Sequence, residues 1–524
     1  MRKLLLPLII IGVLIGSLFT LKDYFTNQQK DEEVHKIIED EKYIDNLNLP
    51  LIEVDTLNPI LTKNKQVADI LKLIYEPLID FDENNKLVPV LALEWNEKNE
   101  LTWIIKLNKF ARWHNGKEFS AEDVIFTYNS ILQMEDSTYK DNIKNIISIE
   151  KIDTNTIQIN LTKKDEYLLY KLTFPIISKN YYYNNLYNEI INNSPVGTGP
   201  YKYESTSEDN NIITLTANDI WWKNQDFKLK KIYLYKYMTY GEAIKAFKST
   251  EIDVINTTMT TWQKKFGAIG INSYLYDSSE YELLIVNTTD KVLTENSVRR
   301  ALLSAINAEN IIESVYNGNG KVSNIPVQSN SYLNSNYENK SYDIEKAKKF
   351  LVNANWVNAN GKWQKKIENK IYTLAFDLLV NSDNEEHLKV ANSIIENLSE
   401  IDIKVKIIKV NSEEYKKRIT NGKFELVLAT LNLDMDTDII ELVESTSEKN
   451  FAKYINFDFD NIIKRINIYN IKEEYEEVFT LYKNEAPYIG LYYKCNNLLT
   501  NKSVKGNIKP TSWNPYHNIM NWCK

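Results

Sequence analysis

The sequence predicts an α/β protein divided into two or three domains, and three observations carry that prediction. The chain has 524 residues, more than one ordinary hydrophobic core accommodates. Residues 372–380, 403–407 and 424–431 read as strands, and between the first two Leu388, Ala391, Ile394, Ile395 and Leu398 line one helical face. Strands separated by helices imply parallel pairing with right-handed crossovers. Residues 87–128 pack an alternating strand, a turn and a capped helix into one compact stretch.

The composition narrows the classes of function. Hydrophobic residues make up 43% and charged residues 26%, a globular balance rather than a disordered one. A net charge of -8 speaks against a nucleic-acid partner, which asks for a basic face. The 34 tyrosines and 10 tryptophans are amphipathic side chains that often line recognition surfaces, although most belong in cores. Two cysteines, Cys495 and Cys523, do not make a disulfide framework, and no pairing follows from their positions.

In chain order, Arg2 and Lys3 precede an apolar run over residues 4–21. This targets a membrane, with the N-terminus inside and the bulk of the chain outside. The run lies between a cleavable signal and a full span, and no small-residue cleavage pattern follows it, so an uncleaved anchor over 1–22 is favoured. Residues 23–45 are polar and charged and read as a stalk. In residues 101–107, Leu101, Trp103, Ile105 and Leu107 alternate with polar or edge positions, the period of a half-buried strand. Asn115-Gly116 marks a hairpin turn, and Ser120 with Asp123 forms a capping box ahead of Val124, Ile125, Tyr128, Ile131 and Leu132 on one helical face.

Residues 138–193 alternate in the manner of an antiparallel sheet, as in Thr156-Ile157-Gln158-Ile159-Asn160-Leu161. Pro195-Val196-Gly197-Thr198-Gly199-Pro200-Tyr201 is a tight crossing between domains; it is not a phosphate loop, because no Lys-Ser/Thr pair or helix start follows. Residues 281–287 are an apolar strand, and two short helical patterns over 298–316 meet at Asn307 and end at Gly318. Asp343 caps a further helix, and Ser412 another that Gly422 closes. In parallel sheets ligands gather beyond the carboxyl ends of strands. For the last strand of the α/β unit that position holds Asn432, Leu433, Asp434, Met435 and Asp436.

The order Leu-Val-Pro-x-Leu-Ala-x-x-Trp from Leu87 to Trp95, then Trp113-His114-Asn115-Gly116-Lys117 and Ser120-Ala121-Glu122-Asp123-Val124, resembles the signature of bacterial extracellular solute-binding protein family 5. Thr56-Leu57-Asn58-Pro59 and Leu73-Ile74-Tyr75-Glu76-Pro77-Leu78 resemble the family's opening strand and first helix. The 195–201 heptad, Asn218 to Asp226 with Trp221 and Trp222, and Glu251-Ile252-Asp253-Val254 follow in the family's order. The resemblance implies a periplasmic-binding-protein-like type II α/β fold, two lobes with an extra domain. Lobe I would comprise 46–76, 195–283 and 488–524, an inserted smaller domain 77–194, and lobe II 284–487. Strands near 281–287 and 486–493 would form the hinge.

The same resemblance implies a receptor of a peptide-type ABC importer, with a peptide or similar solute as ligand and a permease as partner, and a monomer as the expected state. It places an aspartate at Asp434, spaced from Phe424-Glu425 as in peptide-binding relatives, against the ligand's N-terminal ammonium. Leu431 stands where relatives often carry an aromatic residue, beside Asn432. Tyr139 and Tyr492 stand where relatives place cleft tyrosines, and Lys63 lies near a ligand-facing loop. The family's lipidation cysteine has no counterpart here, since no cysteine precedes position 495. No cofactor is expected. His35, His114, His387 and His517 are scattered and suggest no metal site, which disfavours the family's nickel branch, and no catalytic signature is present. A membrane-anchored sensor without transport, a nickel- or oligosaccharide-binding member of the family, and an enzyme of cell-wall material are the rival readings.

Overall fold

The computed structural model describes residues 45–334, 339, 342–433, 438–467 and 469–524. The apolar run 4–21, the stalk and Asp434 lie outside the described residues. Among the described residues no helix is long and apolar enough to cross a membrane, and Cys495 and Cys523 are buried and unpaired.

The first strand is Asn46–Ile52, upstream of the 56–59 segment that the sequence reading made the opening strand. Leu47, Leu49 and Leu51 point into the core. It pairs in parallel with Lys231–Tyr237, which continues antiparallel through Ile212–Ala217 to Tyr201–Thr206. Helix Lys65–Leu71 follows, capped by Asn64, and Leu73 to Leu78 continue it as a turn rather than a helix.

The inserted domain is a four-stranded antiparallel sheet, ordered Ala92–Asn99, Thr102–Leu107, Thr156–Leu161, Ile146–Asp153. Trp103, Ile105 and Leu107 are buried, as alternation requires. Helix Ala121–Gln133 starts at the Ser120/Asp123 capping box. Its buried arc runs through Val124, Tyr128 and Ile131, while Leu132, one position and about 100° further round, is 49% exposed. This sheet shares one continuous hydrophobic core with lobe I.

Gly197 and Gly199 explain the 195–201 crossing. A Cβ on Gly197 would lie 1.8 Å from the Ile74 carbonyl oxygen, and one on Gly199 2.8 Å from it. That closeness lets the Gly199 and Tyr201 amides donate to the Ile74 and Leu73 carbonyls at 2.9 Å each. His114 locks the loop from the other side: the Gly197 amide donates to Nδ1 at 3.2 Å, and Nε2 lies 3.0 Å from the Gly199 carbonyl. That pattern requires the neutral ring protonated on Nε2. Burial lowers the His114 pKa from 6.5 to about 4, with Lys202 adding to the effect. Between those values the unfolded chain binds a proton that the folded chain refuses, so stability is present above pH 6.5 and is lost as pH falls towards 4. The loss is about 3 kcal/mol. Urea unfolding of wild type and His114→Gln across this window checks it; the variant should lack that component of the pH slope.

A seven-stranded sheet joins the two lobes, ordered Val254–Thr257, Tyr488–Asn501, Ile271–Val286, Leu426–Asn432, Ala375–Asn381, Lys404–Val410, with Gly320–Val322 also on Tyr488–Asn501. The two longest strands, Ile271–Val286 with 16 residues and Tyr488–Asn501 with 14, pair antiparallel. Each spans roughly 50 Å at 3.3 Å per residue, far more than the hinge segments read from sequence. Tyr276 and Leu498 belong to the lobe I core, whereas Leu284, Val286, Ile489 and Leu491 belong to a lobe II core. Register shifts fall between Asp277 and Tyr281 and between Glu282 and Leu283, where the pair passes from one lobe to the other.

In lobe II, Ala375–Asn381 pairs in parallel with Lys404–Val410 and with Leu426–Asn432. The expected strand 372–380 is divided: Lys370–Thr373 belongs to a small three-stranded sheet with Trp363–Ile367, and Ala375–Asn381 starts the main sheet. Helix Glu385–Ser399 buries Ala391, Ile394 and Leu398. The next helix is capped by Asn411, which accepts from the Glu414 amide at 3.0 Å, instead of by Ser412. The Ser412 hydroxyl is engaged elsewhere, donating to Asp383 at 2.6 Å.

Candidate functional site

Strand Leu426–Asn432 ends beside the register shift of the hinge. Tyr281 faces Leu431, Glu280 faces Asn432, and the Leu433 amide donates to the Ser279 carbonyl at 2.8 Å. The carboxyl end of this strand therefore opens at the junction between the lobes. Asn432 is exposed there and Leu431 is half-buried against the lobe II core.

One residue earlier lies a polar cluster that sequence reasoning missed. Glu282, on the hinge strand, is fully buried. His387 Nε2 lies 2.9 Å from its Oε1 and 2.9 Å from Thr430 Oγ1, and the Thr430 hydroxyl reaches both Glu282 oxygens at 3.2 Å. Lys494, on the second hinge strand, lies 3.0 Å from Glu280 and 3.7 Å from Glu282, with its ammonium over the Tyr316 ring. Burial pulls the Lys494 pKa down, but Glu282 and Glu280 outweigh it and the net shift is upward. Four segments thus meet on one carboxylate at the hinge. The signal available in the sequence was Glu282 itself, a charged residue inside the apolar strand 281–287, since such residues are almost never fully buried without partners. His387 is among the histidines that stand scattered in the sequence.

Tyr492 is not placed as expected. It is fully enclosed in the lobe II core with its ring 5.5 Å from that of Tyr316, and burial raises its hydroxyl pKa. The inward face of a central strand puts it there, so in this conformation it supports the hinge and lines no accessible surface.

Lobe I and its inserted domain contribute the facing surface, a cavity of about 660 Å³. The helix Lys65–Leu71 and the turn after it, Tyr139, the 221–225 segment and the C-terminal 513–520 segment form its walls. Tyr139 and Lys63 both line it, which unites two sequence candidates. The Tyr139 ring packs 6.4 Å from Phe174, and burial, with the nearby charge of Asp69, pushes its hydroxyl pKa up to about 12. Glu76 is buried and receives the Trp221 and Trp222 indole N–H groups at 3.2 and 2.9 Å. Lys223 lies 3.9 Å from Glu76 and 5.0 Å over each indole ring. Burial raises the Glu76 pKa against the pull of Lys223 and the indoles.

Segments that adjoin this cavity touch lobe II. Phe81 packs 6.0 Å from Tyr170, whose hydroxyl lies 3.0 Å from that of Tyr332, and Asn330 Nδ2 donates to the Glu83 carbonyl at 3.0 Å. The Tyr332 amide donates to Asn84 at 2.7 Å, and Ser512 to Gln328 at 2.8 Å. Among the described residues no group of three or more His, Cys, Asp or Glu is placed to hold a metal ion.

The model of the bacterial extracellular solute-binding proteins, family 5 Middle, matches residues 86–451, well over half of the chain. The chain belongs to family 5 of the bacterial extracellular solute-binding proteins. Its family 5 relatives include the oligopeptide-binding protein AppA of Bacillus subtilis, 25% identical over 509 residues that cover 90% of both chains. The nickel-binding periplasmic protein of Escherichia coli is 25% identical over 326 residues, covering 59% of this chain and 61% of that one. Among solved structures, the unliganded open form of the murein tripeptide-binding protein MppA has a TM-score of 0.77 at 18% identity, covering 90% of this chain and 96% of its own. The chain shares with it the type II binding-protein fold.

Proposed function

We propose that this family 5 protein is the extracytoplasmic substrate-binding component of a peptide-type ABC importer. It captures a peptide or similar small solute between its lobes and delivers it to a membrane permease. The observation that carries this reading is the pair of hinge strands, whose register breaks where a ligand-sized lobe I cavity and the carboxyl ends of lobe II strands come to the lobe boundary. Hinge closure over a ligand needs those three features together. The name of the B. subtilis relative supports a peptide ligand. Asp434, two residues after strand Leu426–Asn432 in sequence, is the proposed anchor for the ligand's ammonium, and the apolar run 4–21 is proposed to hold the monomer at the membrane.

Native mass spectrometry of the purified full chain tests this reading. Bound masses should resolve into peptides on fragmentation; a metal chelate or a carbohydrate in their place would overturn the peptide assignment.

A further inference from the structure

The charges lining the lobe I cavity do not all find partners. Its four lysines are each paired: Lys63 with Asp136 at 3.3 Å, Lys65 and Lys72 with Asp69 at 3.5 and 3.2 Å, and Lys223 with Glu76 at 3.9 Å. Asp82 accepts two backbone amides, from Asn84 at 2.8 Å and Lys86 at 2.9 Å. Asp80 differs. Its carboxylate lines the cavity and accepts only the amide of the adjacent Phe81, at 2.9 Å, with no ion-pair partner among the described residues.

An ionised carboxylate in a partly dehydrated concavity is costly unless a cation or several donors reach it. Burial accordingly raises the Asp80 pKa, against weaker pulls from Lys72 and Lys223. Its position follows from the short strand Ile79–Phe81: Ile79 is buried, and Asp80, on the opposite face, turns into the cavity. Aromatic side chains of Phe81, Tyr139, Trp221 and Trp513 share the lining. Aromatic faces and a lone carboxylate together favour an organic cation over an anion or a hydrated metal ion.

We propose that Asp80 forms a subsite for a cationic group of the ligand, a primary ammonium or guanidinium of the kind carried by lysine and arginine side chains. This rests on the peptide reading above and adds to it a preference for basic peptides. The subsite lies on the lobe I side of the molecule, in the lining of its cavity.

The test is isothermal titration calorimetry of the full chain with trilysine and with trinorleucine, whose side chains keep lysine's four carbons and carry hydrogen in place of the terminal ammonium. Wild type should bind trilysine roughly tenfold more tightly, the gain from a charge-assisted hydrogen bond. Asp80→Asn, which keeps the shape of the side chain, should bring the two affinities to within about threefold while leaving trinorleucine binding unchanged. A trilysine preference that survives in Asp80→Asn overturns the subsite. If neither tripeptide binds, the peptide reading fails, and cadaverine then decides the subsite separately. Cadaverine binding to wild type and not to Asp80→Asn upholds it, and equal or absent binding overturns it.

Discussion

Gly197→Ala is expected to cost about 3 kcal/mol or more of folding stability, because the added methyl meets backbone and not a movable side chain. The new Cβ would lie 1.8 Å from the Ile74 carbonyl oxygen and 2.6 Å from its carbon. Relief requires parting the 195–201 loop from the turn at Leu73 and Ile74. That would break the hydrogen bonds from Gly199 and Tyr201 and pull Gly197 from His114. Gly116→Ala is the informative comparison. Gly116, unlike Gly197, has a positive φ, +82°, but nothing lies within 4 Å of its Cβ position, so its cost is the conformational one alone, about 1 kcal/mol. Thermal and urea unfolding of the two variants should separate them clearly; equal losses would show that close approach is not what selects glycine at 197.

Glu282→Ala is expected to be comparably severe, about 3–5 kcal/mol, since it removes the carboxylate on which His387, Thr430 and Lys494 converge. Lys494 keeps Glu280 at 3.0 Å, whereas Nε2 of His387 is left with Thr430 alone. Glu282→Gln retains an acceptor for Thr430 and should lose less. The damage also reaches the candidate site, because Thr430 immediately precedes Leu431 and Asn432 at the lobe boundary. Losses below about 1 kcal/mol in both variants would mean that the cluster does not organise the hinge.

Local structure was legible where one segment decides it. The strand Thr102–Leu107, the Ser120/Asp123 capping box, the meeting of two helices at Asn307 and the α/β alternation of lobe II all follow from periodicity and capping chemistry within a few residues. Competition between neighbours misled the reading at Ser412, where both Asn411 and Ser412 are able caps and the Asp383 carboxylate claimed the serine. The 46–52 strand was missed because its pairing with Lys231–Tyr237 spans some 180 residues of chain. The lobe I cavity was hidden for the same reason: its walls come from separate segments, and of its lining only Tyr139 and Lys63 were tied to the ligand, by resemblance. Tyr492 was assigned to the cleft by position in a motif, but the side on which a strand residue points depends on register, and the register shift near Glu282 and Leu283 is not written in any local pattern.

The hinge unites these observations. Two long strands run through both lobe cores, and the buried Glu282 cluster and the contacts of Asn330, Tyr332 and Ser512 lie where they pass between lobes. Capture of a ligand by movement about this hinge is the central claim. Small-angle X-ray scattering of the full chain, titrated with a mixture of short peptides, tests it most directly. The radius of gyration should fall saturably as the lobes close; saturable peptide binding with an unchanged radius of gyration would rule out capture by closure.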